Sequence, residues 1–102
     1  MNARPPRPSL ALLPMLVLMA LLATPAQAEC YADYKAKQDA PLRLAYGVAK
    51  VPDAACDVRS ATAELAPRLA AAGWTLLNVI ATFGPEGLAQ RESSAAGHFL
   101  RY

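Results

Sequence analysis

The chain carries a single histidine, His98, so acid–base chemistry near neutral pH would have to use it. Ser93 and Ser94 are its nearest nucleophile-type neighbours in sequence, and residues 93–97 read as a small, polar, mobile loop. No third group is in place there to orient an imidazole toward a hydroxyl. The carboxylates Asp33, Asp39, Asp53, Asp57, Glu86 and Glu92 are scattered, and a two-carboxylate dyad would have to be assembled by the fold. No residue is therefore assigned a catalytic role. A small hydrolase-like enzyme using His98 with a carboxylate stands as the alternative to a non-enzymatic reading. Zinc asks for three or four Cys, His or carboxylate ligands, and one histidine with two cysteines falls short, so no metal and no cofactor is expected.

Two further groupings carry chemistry. Gly84-Pro85-Glu86-Gly87 has the outline of a phosphate-cradling loop, but such loops bind through backbone N–H groups. Pro85 has none and Glu86 would repel the anion, so the segment reads as a tight connection. Tyr31, Tyr34, Tyr46 and Tyr102 all fall on expected strands, where aromatic residues usually pack against cross-strand neighbours. Exposed together on one face they would form a recognition surface, since Tyr is enriched in binding hot spots. Arg43, Arg101 and Arg91 could rim it. The candidate binding patch is therefore Tyr31, Tyr34, Tyr46, Tyr102, Arg43 and Arg101.

The two cysteines, Cys30 and Cys56, read as one structural disulfide of an exported chain. A redox-active pair would want Cys-x-x-Cys spacing and a positive neighbourhood, whereas Asp57 adjoins Cys56. Export is expected from residues 1–28. Arg4 and Arg7 form a basic start, residues 10–22 an apolar run, and Ala26-Gln27-Ala28 a small-x-small cleavage site, giving cleavage between Ala28 and Glu29. The apolar run is shorter than the ~20 residues that a membrane span needs, so no span is expected in the mature chain. Glu29, charged and bulky, directly precedes Cys30 and argues against lipid attachment there.

Loss of that leader removes Arg4 and Arg7 and leaves eight basic against eight acidic residues. A nucleic-acid binder would show a basic surplus or stripe; none is present, and a nucleic-acid partner is excluded on that ground. The expected site of action is the periplasm or the cell exterior, and the expected partner a protein or another envelope component.

The elements that must position these residues are organised around residues 58–83. Val58, Thr62, Leu65, Ala66 and Leu69 make one helical stripe, and Gly73 sits where a left-handed residue ends a helix. Leu69 and Trp74 are then the pair that closes a Schellman ending. Pro67 should kink or break the helix. From Trp74 to Phe83 both alternating sets are apolar, which predicts a central strand. Upstream, residues 31–39 and 42–49 alternate with period two about the turn Asp39-Ala40-Pro41, predicting a hairpin with Leu42, Leu44, Tyr46 and Val48 on its apolar face. Downstream, residues 88–92 read as a helical turn and residues 98–102 as a short final strand.

The chain resembles small exported bacterial proteins that share CYADYK and PLRLAYGV, then APRLAAAGWTLLNV and FGPEGLAQR, then FLRY. The resemblance spans nearly all of residues 30–102 and carries no activity and no catalytic residue with it. The expected fold is α+β, ββαβ(α)β, with a mostly antiparallel four-stranded sheet and one kinked helix on one face. Residues 29–102 would form one small domain, and its expected role is that of a non-enzymatic binding or interaction module.

Overall fold

Alternating side chains build the hairpin first. Cys30–Gln38 (β1) and Arg43–Val51 (β2) pair antiparallel, from Cys30 opposite Val51 to Gln38 opposite Arg43. The turn between them contains a cis Ala40–Pro41 bond. The computed structural model describes residues 29–102; the expected leader over residues 1–28 lies outside the described residues. Thr75–Phe83 (β3) adds antiparallel to the other side of β1, giving the order β2-β1-β3.

The central strand is therefore β1 and not β3, which corrects the sequence expectation. β1 buries Ala32, Tyr34 and Ala36 on one face and Tyr31 on the other. β3 lies at an edge, and its Leu77 and Ile80 are exposed. Its pairing with β1 slips twice, between Asp33 and Tyr34 and between Lys35 and Ala36, leaving Ile80 and Leu77 as extra residues on β3. Bulges of this kind interrupt the period of two, so an apolar residue in both alternating sets did not mean burial on both faces.

Val58–Ala71 (α1) covers one face of the sheet. The Asp57 carboxylate accepts a hydrogen bond from the Ser60 N–H at 2.8 Å and caps its start. Its buried line is Ala61, Leu65 and Leu69, whereas Val58 and Ala66 face water, so the stripe is rotated from the expected one. The helix continues through Pro67 without a break. Pro67 and Ala63 are both exposed, so water can serve the carbonyl that the missing N–H leaves free. The end is a complete Schellman motif. Gly73 has φ +87°, its N–H donates to the Ala70 carbonyl at 3.0 Å, and the Trp74 N–H donates to the Leu69 carbonyl at 2.9 Å.

Between sheet and helix, small residues decide the fit. The face of β2 toward α1 carries Ala45, Gly47, Ala49 and Val51, not the bulky set that the alternation suggested. Tyr34 occupies that layer, and Gly47 lies directly opposite it. A Cβ at Gly47 would run into the Tyr34 ring and hydroxyl. The Cys30–Cys56 disulfide, with Cα atoms 5.8 Å apart, ties the start of β1 to the approach of α1.

The opposite face is covered by Ala89–Ala95 (α2), longer than the helical turn expected there and including Ser93 and Ser94. Ala95 packs with Tyr31 and Val48, and with the half-buried Phe83, Leu88 and Phe99. A second correction follows: the sheet has three strands, not four, and two helices cover it, one on each face. The expected last strand shrinks to one parallel bridge, Val48 with Phe99. Leu100 has φ +56°, a left-handed conformation that an extended strand cannot contain, and the chain turns away there. The class remains α+β.

Candidate functional site

The Schellman ending of α1 aims Trp74 across the α1 face of the sheet toward the tail of the chain. There it helps to wall an open cleft of about 690 Å³. Gln38 and Arg43, paired at the turn end of the hairpin, form one side together with Leu44. Ala72 comes from the end of α1, and His98, Arg101 and Tyr102 come from the segment that follows α2. Each wall is held. The Gln38 amide donates to the Gly73 carbonyl at 3.2 Å, latching the hairpin to the helix end. Arg68 donates to the main-chain oxygens of Lys50 (3.0 Å) and Tyr102, fixing the tail against β2, and Glu64 steadies it at 3.5 Å.

Three rings line up inside. His98 meets Trp74 edge to face, with centroids 5.1 Å apart and planes at 82°. On its other side it stacks with Tyr102 at 6.0 Å. The Arg101 guanidinium lies 5.7 Å from the Tyr102 ring centre, in cation–π range. No Asp or Glu lines the cleft. Lys37, Lys50, Arg68 and Arg91 are each paired with a carboxylate, whereas Arg43 and Arg101 make no ion pair among the described residues. Two guanidiniums without an ion pair, an imidazole and an indole thus border one space. This arrangement can accept a carboxylate or phosphate by forked, charge-assisted hydrogen bonds beside flat apolar surfaces.

Of the six residues proposed from sequence, Arg43, Arg101 and Tyr102 come together here, and the other three do not. Tyr34 is 1% exposed beneath α1, and burial pushes its phenol up to about 12. Its hydroxyl has no hydrogen-bond partner among the described residues. Tyr31 is buried on the opposite face, stacks on Phe83 with centroids 6.2 Å apart, and donates to the Glu29 carboxylate, which raises its pKa. Tyr46 donates to Asp33 at 2.9 Å; burial first, and then that hydrogen bond and charge, push it up to about 12. Sequence reasoning missed Trp74 and Gln38 as site residues and weighed His98 for catalysis alone. The available signal was a lone tryptophan directly after a left-handed glycine, which a Schellman turn throws to the end of the helix.

Asp33 itself, 5% exposed, is a structural anchor. It accepts from Tyr46, from the Arg91 Nε at 3.1 Å and from the Ala81 N–H at 3.0 Å, where the β3 register slips. Arg91 also donates to the Gly87 carbonyl at 2.8 Å and lies 3.9 Å over the Phe83 ring. These contacts tie α2 to the sheet. On that same face, toward the hairpin turn, Lys35, Leu44, Tyr46 and Leu77 surround a shallow, mostly apolar groove of about 240 Å³.

Among the described residues, no three His, Cys, Asp or Glu side chains are grouped to hold a metal ion. No helix among them is long and apolar enough to cross a membrane. Comparison with family models, with curated proteins and with solved structures gives no match for this chain.

Proposed function

We propose that this protein is an exported, non-enzymatic binding module of the periplasm or cell envelope whose cleft at Trp74 takes an anionic ligand. The carrying observation is the pair Arg43 and Arg101, both without a carboxylate partner among the described residues, on a cleft with no Asp or Glu on its walls. Formal neutrality of residues 29–102 makes this a local feature rather than the spill-over of a basic surface, which is what nucleic acid would require. The leader-like residues 1–28, with cleavage between Ala28 and Glu29, support the location. The Cys30–Cys56 bridge supports it too, because disulfides persist in oxidising compartments. The partner is a protein or envelope component that presents a carboxylate or phosphate.

Trp74 is the single tryptophan of the chain, so its fluorescence reports the cleft alone. Titration with glutarate and with inorganic phosphate should change that emission saturably. The exposed pair Arg43→Ser and Arg101→Ser should leave thermal unfolding unaltered and weaken the response about tenfold or more. An emission that does not respond to either anion, or that responds equally in the double variant, would contradict the proposal.

A further inference from the structure

The outer edge of β2 is only partly covered. Phe99 bridges to Val48, and the Leu100 N–H donates to the outward-facing Val48 carbonyl at 2.8 Å. In an antiparallel ladder, the N–H and C=O of one residue point the same way, and this direction alternates along the strand. Tyr46 and Leu44 therefore turn their backbone groups outward like Val48. Among the described residues no backbone bond reaches them from that side. This part of the edge is a regular strand, unlike β3, whose two register slips spoil it as a template.

Two concavities flank this stretch, one on each face. Arg43 and Leu44 border the cationic cleft; Leu44, Ala45 and Tyr46 border the apolar groove shared with Leu77. Leu44 is 71% exposed and touches both. A strand added to this edge would send alternate side chains to opposite faces, one set into each concavity. We propose that an extended peptide segment of alternating acidic and apolar residues joins β2 at Leu44–Tyr46 as a further strand. Its carboxylates enter the cleft at Arg43 and Arg101, and its apolar side chains enter the groove of Leu44, Tyr46 and Leu77. Main-chain hydrogen bonds supply affinity, and the two unlike concavities supply the pattern that is read. The chain's own Phe99–Leu100 segment already uses the neighbouring position at Val48 in this way. This inference rests on the cleft being an anion site.

The test uses the purified, disulfide-intact protein and the acetylated, amidated pentapeptide Leu-Glu-Leu-Glu-Leu, followed by calorimetry and Trp74 emission. Only every second N–H of a strand faces its neighbour. Methylation of either the Leu or the Glu nitrogens should therefore weaken binding about tenfold or more, while methylation of the other set leaves it near that of the parent. Replacing both Glu by Lys should weaken it comparably. Equal binding of parent and both methylated peptides would mean attraction by charge alone and would overturn strand addition. A pentapeptide that does not bind while glutarate or phosphate still changes Trp74 emission would overturn this inference and leave the anion cleft standing. Silence toward all three probes would overturn both.

Discussion

Two glycines take positions that penalise any side chain, for different reasons. At Gly47 the obstacle is contact, since the Tyr34 ring fills the space of a Cβ. At Gly73 there is room, the nearest atom being the Gln38 amide nitrogen at 3.6 Å, and the obstacle is φ +87°. Gly73→Ala should therefore destabilise by about 1 kcal/mol through backbone strain alone, although alanine is the better helix former. Urea denaturation measures this, and a stabilised variant would contradict the Schellman geometry. The tyrosines give a pH signature. The folded values of Tyr34 and Tyr46, about 12, lie above the ordinary 10.0, so the folded chain keeps protons that the unfolded chain releases. Their contribution is whole below pH 10 and is lost as the pH rises toward 12. The urea midpoint should fall across that window; a level midpoint would mean that these phenols are not held neutral by burial. Gly73 was legible in the sequence, because a glycine after a helical stripe has one common use. Gly47 was not, because what it accommodates comes from the partner strand.

At the scale of elements, Asp33 and Arg91 join α2 to the sheet. Arg91→Leu would leave the Asp33 carboxylate buried beside Tyr46 and Ala81 with its cation gone. The expected loss is about 2–3 kcal/mol, below the 3–5 kcal/mol of a wholly buried pair because Arg91 keeps some contact with water. Asp33→Asn with Arg91→Leu should lose less than the sum of the two single changes, and strict additivity by chemical denaturation would contradict a direct coupling. The hairpin, α1 and the start of β3 were readable from period and punctuation. The central place of β1 was not, since its alternating Asp33, Lys35 and Lys37 look like a wet face until Arg91 and Tyr46 arrive from elsewhere to satisfy Asp33. The absent fourth strand reflects the helical turn over Ala96–His98 and the left-handed backbone of Leu100, which no propensity foretells.

Over the whole molecule, the disulfide supports a small core. It closes a loop of 26 residues, worth about 3–3.5 kcal/mol in the chain-entropy picture, so Cys56→Ala should cost about 2–4 kcal/mol. A maleimide probe should not label the native protein; free labelling without loss of stability would rule the bridge out. The candidate site was half legible. Arg43, Arg101 and Tyr102 stood out by type, but the cleft exists only because the tail beyond α2 crosses the edge of β2 and returns to Arg68, a path that no local pattern encodes. Proton–nitrogen correlation spectra of the labelled protein, recorded during titration with glutarate, test the anion cleft most directly. The shifts should centre on Arg43, Trp74, His98, Arg101 and Tyr102 and leave Lys50 and Arg59 unmoved, whereas shifts spread evenly over all exposed cations would show that the cleft holds no site.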